Sequence, residues 1–283
     1  MLICEKPIPG KREKSVKHCF FAKKIILRKK TKFHEVLIFE NPLYKRVFLL
    51  NGIVQLSQFD EFIYHEMMVH PVLFSHPFPK KILILGGGDG GVLREVLKHK
   101  VKSVDLVEID RQIIEISKKY LKFCCKNSFS DKRVKIFNLP AQKFIQKVNK
   151  KYEIIISDCT NFGEKISKPL FSLNFYSKIY EILSPSGIFV TLGSSFLDFE
   201  NILKEIFKKM KKIFEKVFCI RFCVPSFHCG EYAFLVGSKK IDLSKVNFSL
   251  LCKKYEKLRK KLKYYSPEIH KSSFVLPKIW QLK

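Results

Sequence analysis

Six consecutive residues, Gly86-Gly87-Gly88-Asp89-Gly90-Gly91, fit the pattern GxGxxG between an apolar run (81–85) and a helix-patterned stretch (92–99). Glycines at such a turn permit positive φ and let a ligand approach the backbone closely. Glu108 closes the next apolar run, 22 positions after Gly86. A carboxylate there is placed to accept both hydroxyls of an adenosine ribose. Asp89, inside the turn, separates the candidate ligands. A dinucleotide would set its pyrophosphate on this helix start, where a carboxylate repels it, whereas a cation is attracted. The pattern therefore points away from NAD and toward a sulfonium nucleoside such as S-adenosylmethionine or its decarboxylated form. Local charge agrees. Residues 51–98 hold Asp60, Glu61, Glu66, Asp89 and Glu95 against four basic residues, net −1 in a chain whose remainder carries +29. A polycationic substrate would need such counter-charges.

The elements that must position these residues are legible from periodicity. From about residue 23 to 56 the chain reads as short β-branched and aromatic strands, broken at Asn41-Pro42 and Asn51-Gly52, which predicts a small antiparallel unit. A helix is predicted from roughly Asp60, a plausible cap, to Leu73. After Pro77-Phe78-Pro79 apolar strands (81–85, 103–110, 134–138, 152–157, 187–192) alternate with helical stretches, the last of them about 198–214. Continuous apolar strands alternating with helices predict a parallel sheet covered on both faces. Strands 217–223 and 232–238, with no helix between them, are expected to close it as an antiparallel pair. A Lys-rich helix is expected after about Leu243. The expected division is an N-terminal β unit over 1–56 and an α/β domain over 57–283.

Composition excludes several classes. With 283 residues, 46% of them hydrophobic, disorder is excluded and a core needs no metal or disulfide staple. The net charge of +28 suggests nucleic acid, but eight of the 54 basic residues are arginine and the lysines are scattered as pairs. A solvated lysine-rich surface is the better reading, because phosphate and base recognition favour the planar arginine fork. Nine cysteines form no CxxC or zinc spacing, and the odd count predicts reduced thiols in a cytoplasmic protein. No apolar run reaches membrane-spanning length and no signal peptide is visible, so no membrane partner is expected.

Several blocks resemble the spermidine synthases, the polyamine aminopropyltransferases, of bacterial type. They are the run Gln55 to Met67 (QLSQFDEFIYHEM), the GGGDGG turn followed by LREV, VEID (107–110), SDCT (157–160), LF…FY (170–176) and YYSPEIHKSSFVLP (264–277). The match is colinear over about residues 34–280. It implies a Rossmann-like, S-adenosylmethionine-methyltransferase-type domain preceded by the β unit, assembled as a homodimer or homotetramer. The implied reaction moves an aminopropyl group from decarboxylated S-adenosylmethionine, a co-substrate, to putrescine, giving spermidine and methylthioadenosine with no metal or other cofactor. By the resemblance Asp158 is the general base. Gln55, Gly86, Gly88, Asp89, Glu108, Pro140 and Ala141 form the donor site, with Asp89 on the aminopropyl ammonium and Glu108 on the ribose. Tyr64, His65, Asn161 and Phe227 face putrescine.

Three positions depart from the family pattern. Pro140, within Leu139-Pro140-Ala141, replaces the Asp that binds the adenine amino group. Asn161 replaces the second Asp of the block that begins at Asp158. Phe227, in Pro225-Ser226-Phe227, lacks a tyrosine hydroxyl. Losing a polar contact as at Pro140 typically costs about 1–2 kcal/mol, Asn161 turns a counter-charge into a neutral amide, and together the three predict weakened affinity for both substrates. The alternatives on the same fold are an S-adenosylmethionine-dependent methyltransferase and a catalytically decayed homologue acting as a binding protein.

Overall fold

The computed structural model describes residues 1–6, 16–159, 167–197 and 200–282. Two short strands, β1 (Leu2–Cys4) and β2 (Cys19–Phe21), pair antiparallel. A four-stranded antiparallel sheet follows in chain order: β3 (Lys24–Lys30), β4 (Glu35–Asn41), β5 (Lys45–Leu50) and β6 (Ile53–Ser57). Its turns sit where the sequence breaks predicted them. Asn41 Oδ1 accepts the N–H groups of Leu43 and Tyr44, and Asn51-Gly52 turns with both residues at positive φ.

Helix α1 (Glu61–Ser75) leads to the second sheet. Strands β7 (Lys81–Gly86), β8 (Ser103–Val107), β9 (Val134–Phe137), β10 (Tyr152–Asp158) and β11 (Leu183–Ser194) are interleaved with α2 (Gly91–Leu97), α3 (Arg111–Tyr120), the short α4 (Lys122–Cys125), α5 (Ala141–Lys147) and α6 (Leu173–Ile182). Then come α7 (Glu200–Lys211), β12 (Lys216–Cys223), β13 (Glu231–Ser238), α8 (Phe248–Glu256) and α9 (Pro267–Ser272). The seven strands lie in the order β12-β13-β11-β10-β7-β8-β9; β9 to β11 are parallel and β13 runs antiparallel to both neighbours. The architecture is the expected one, a small antiparallel β unit followed by a Rossmann-like α/β sheet.

Central strands are buried on both faces, which is why they read as unbroken apolar runs. Ile154, Ile155 and Ile156 of β10 have no exposed surface, and burying each such side chain stabilises by about 2 kcal/mol. Chain direction across the sheet diverges between β7 and β10, so the carboxyl ends of these two strands open a crevice where ligands of such sheets bind. Register sets Asp158 directly beside Gly86 there.

Several expectations are corrected. Asp60 precedes α1 but makes no side-chain cap; its carboxylate accepts Ser57 Oγ (2.6 Å) and the N–H and Oγ of Ser226 (both 2.7 Å), tying β6 to the 225–227 loop. The expected reduced thiols are not all present as such. Cys4 and Cys19 face each other across the β1–β2 pair and form a disulfide, while Cys124, Cys125, Cys159, Cys219, Cys223 and Cys252 carry free thiols. A pairing set by strand register 15 residues apart leaves no spacing signature. Among the described residues no helix is long and apolar enough to cross a membrane.

Candidate active site

The turn after β7 is shaped by contact. Gly86 has φ +81°, and a Cβ on it would lie 2.1 Å from the Asp158 carbonyl oxygen, so no larger residue fits. Gly87 N–H donates to that same carbonyl at 3.0 Å, locking the turn to the end of β10. At the far end of the turn a Cβ on Gly91 would lie 2.3 Å from the His65 ring. The absence of side chains here thus admits both a neighbouring strand and a neighbouring imidazole.

Around the turn one cavity opens, with about 1210 Å³ of empty space including its mouth. Its wall includes Gln55 on β6, Tyr64 and His65 on α1, Gly86, Gly88 and Asp89 in the turn, and Glu108 after β8. Pro140 and Ala141 at the start of α5, Asp158 at the end of β10 and Phe227 complete the set. Every site residue singled out from the sequence faces this space except Asn161, which lies outside the described residues. The half-buried Gln55 donates from Nε2 to the Ile53 carbonyl at 3.2 Å.

The carboxylates are held differently. Tyr64 OH donates to Asp158 Oδ1 at 2.8 Å, while the buried Oδ2 accepts nothing from the described residues. Burial, and then the charge of Asp89, push Asp158 up to about 7 against the smaller opposing effects of His65 and Tyr64. Asp89 is held low: burial opposes its charge, but His65 and the Gly91 N–H (2.6 Å) outweigh burial. His65 lies between two carboxylates, with Glu61 Oε2 2.6 Å from Nδ1 and Asp89 Oδ1 3.3 Å from Nε2. Burial disfavours its cation, but Asp89 and Glu61 overcome this and raise it to about 10. Glu108 accepts Asp110 N–H at 2.8 Å, and burial raises it to about 7. Its second oxygen would lie 2.8 Å from a Cβ at Gly88, so Gly88 leaves that carboxylate open to the turn.

Of the five acidic residues taken as counter-charges for a polycation, only Asp89 lines the cavity. Asp60 is engaged with Ser226, and Glu61 and Glu95 with Arg94. Glu66 accepts the N–H groups of Lys263, Tyr264 and Tyr265, anchoring the C-terminal segment. Acidity in that stretch is therefore mostly spent on folding. The cavity also has lining residues that the sequence reading missed. Glu5, after β1, accepts Val54 N–H at 2.6 Å and pairs with His18; Gln142, Leu170, Tyr232 and His228 join it. A three-residue strand carries too little periodicity to signal Glu5. Phe227 packs between Tyr64 (5.8 Å) and Tyr232 (5.2 Å), giving one end of the cavity an aromatic wall.

Residues 61–249 match the family described as "Spermine/spermidine synthase domain", and residues 10–58 the "Spermidine synthase tetramerisation domain". The chain belongs to the spermidine synthase family. A polyamine aminopropyltransferase of Buchnera aphidicola is 37% identical over 98% of this chain and 96% of its own. A spermine synthase of Saccharomyces cerevisiae is 36% identical over 89% of this chain and 86% of its own. Among solved structures, a spermidine synthase in complex with the transition-state analogue AdoDATO superposes with a TM-score of 0.91 at 32% identity, covering 99% of this chain and 93% of that one. The spermidine synthase of Thermotoga maritima gives 0.88 at 32% identity, covering 99% and 92%.

Proposed function

We propose that this cavity transfers an aminopropyl group from decarboxylated S-adenosylmethionine to putrescine, with Asp158 as the general base. The chain is an enzyme, a polyamine aminopropyltransferase that makes spermidine. The observation that carries the assignment of the base is the Tyr64–Asp158 contact at the end of β10: one carboxylate oxygen is fixed by a phenol while the other is buried and without a partner. A buried oxygen left unsatisfied is costly, and an incoming amine would satisfy it.

The primary amine attacks the methylene carbon bonded to the sulfonium. The C–N bond forms as the C–S bond breaks, methylthioadenosine leaves with the electron pair, and the amine proton passes to Asp158. A base near 7 is matched to neutral pH. The gain from holding two reactants in line is a loss of entropy already incurred on binding. Asp89 takes the aminopropyl ammonium, Glu108 the ribose hydroxyls and Gln55 the nucleoside. Gly86 and Gly88 let the donor reach the backbone, and Pro140 and Ala141 form an adenine wall without a carboxylate. Tyr64, His65, Asn161 and Phe227 form the putrescine end. With Pro140, Asn161 and Phe227 off the family pattern, both substrates bind more weakly than in a family member with the full set.

Residues 1–56 serve assembly into a homodimer or homotetramer and supply Gln55 to the donor site, 57–283 carry the catalytic machinery, and the protein works in the cytoplasm. Mass spectrometry after incubation with decarboxylated S-adenosylmethionine and putrescine tests the reading. Wild type should release methylthioadenosine and spermidine, and Asp158→Asn should lose roughly 10²–10⁴-fold in rate. Methyl transfer from intact S-adenosylmethionine, or no product from either donor, would overturn it.

A further inference from the structure

Behind the cavity wall lies a ladder of buried charges that the reaction as written does not use. Arg94 donates through Nη1 and Nη2 to the two oxygens of Glu61 (2.8 and 2.9 Å), through Nε to Glu95 (2.7 Å), and through Nη1 to the Cys124 carbonyl (2.7 Å). Glu61 stands one helical turn before His65 and meets its Nδ1 at 2.6 Å. On the other side Nε2 meets Asp89 at 3.3 Å. A carboxylate at each ring nitrogen favours the imidazolium, the one form that carries an N–H on both. Glu61, His65 and Arg94 are all buried, and neither Glu61 nor Arg94 lines the cavity.

Positive and negative charges therefore alternate through Arg94, Glu61, His65 and Asp89. A ring nitrogen of His65 and one carboxylate oxygen each of Asp89 and Asp158 lie within 4.8 Å of one another. The other titratable groups here are the Cys124 thiol, 3.9 Å from Glu61 and 3.5 Å from Asp89, the Cys125 thiol near Asp89, the Tyr64 phenol on Asp158, Cys159 beside both, Glu108 beyond Asp89, and His70 and Lys98 on Glu95. Two neighbouring carboxylates cannot both ionise at ordinary cost, and a cation paired with one decides which of them keeps its charge.

We propose that Glu61 and Arg94 are positioning residues for aminopropyl transfer: they hold His65 as a doubly donating cation against Asp89, which keeps Asp89 as the ammonium counter-charge and leaves Asp158 to take the proton. The inference rests on the aminopropyl-transfer reading and adds the reason why two adjacent aspartates have different roles. It also makes His65 a resident cation of the site, with no lone pair to offer a diamine.

Two measurements on the full-length protein test it. In ¹⁵N-histidine NMR, with His65 assigned through His65→Gln, both ring nitrogens should be protonated at pH 8; a neutral ring at that pH overturns the proposal, whatever the activity. In Glu61→Gln the acid limb of kcat/KM for putrescine should move up by about one pH unit. The rate would then fall about five- to sixfold at pH 7 and by less than about 1.5-fold at pH 9, with Glu61→Asp recovering most of it. Equal loss at every pH marks a structural role only and overturns the proposal. If Glu61→Gln does not fold, the NMR result decides. A doubly protonated His65 in a wild type that makes no methylthioadenosine supports the ladder and overturns the reaction instead.

Discussion

Replacing Asp158 by Asn should make the protein far slower and more stable at once. The structure supplies the magnitude. Burial and the neighbouring Asp89 raise the Asp158 carboxyl from an ordinary 3.8 to about 7. At about 1.4 kcal/mol per tenfold, ionising it in the folded protein costs about 4 kcal/mol above pH 7. The sign follows from proton binding. Between about pH 4 and 7 the folded carboxyl holds a proton that the unfolded one has lost, so stability falls as pH rises through that window and stays low above it. Asn cannot ionise. Its amide oxygen can accept the Tyr64 hydroxyl, and its N–H₂ can face the nearby Asp89. Because part of the cost is shared with Asp89, the gain at pH 8 should be about 2–4 kcal/mol, falling to less than half of that at pH 5. In a chain of this size that is a Tm rise of roughly 3–7 °C. Thermal melts of wild type and Asp158→Asn at pH 5 and pH 8 measure it. No gain at pH 8, or the same gain at both pH values, would refute the claim that the wild-type carboxylate is held at a cost in stability.

Further outcomes follow from the same geometry. The kcat/KM for putrescine should rise as pH increases through about 7 and level off above it, because Asp158 must lose its proton before it can accept one; a pH-rate profile flat from 5.5 to 8 would contradict this. Pro140→Asp places a carboxylate at the start of α5 on the cavity wall, and should lower the KM for the donor about 5–30-fold, equivalent to about 1–2 kcal/mol. Steady-state kinetics showing no change in donor KM would mean that the adenine wall lies elsewhere.

What could be read in the sequence was what short-range pattern fixes. The glycine turn, Glu108 and Asp158 each close an apolar strand, and a parallel sheet brings strand ends together without further information. Hence their common cavity could be foreseen. The use made of each charge could not. Glu61, Glu66 and Glu95 look like site carboxylates in sequence, yet their partners are Arg94 in α2 and backbone N–H groups some 200 residues away. That His65 lies between two carboxylates could not be read either, because Asp89 comes to it from a turn 24 positions on, outside α1. The Cys4–Cys19 disulfide and the place of Glu5 depend on strands of three residues, too short to show a period.

Whether the turn reads a cation is the point on which the rest depends, and calorimetry with the two donors addresses it directly. Wild type should bind decarboxylated S-adenosylmethionine at least about tenfold more tightly than the intact form, whose extra carboxylate would face Asp89 and Asp158, and Asp89→Asn should remove most of that preference. Equal or tighter binding of intact S-adenosylmethionine by the wild type would contradict it.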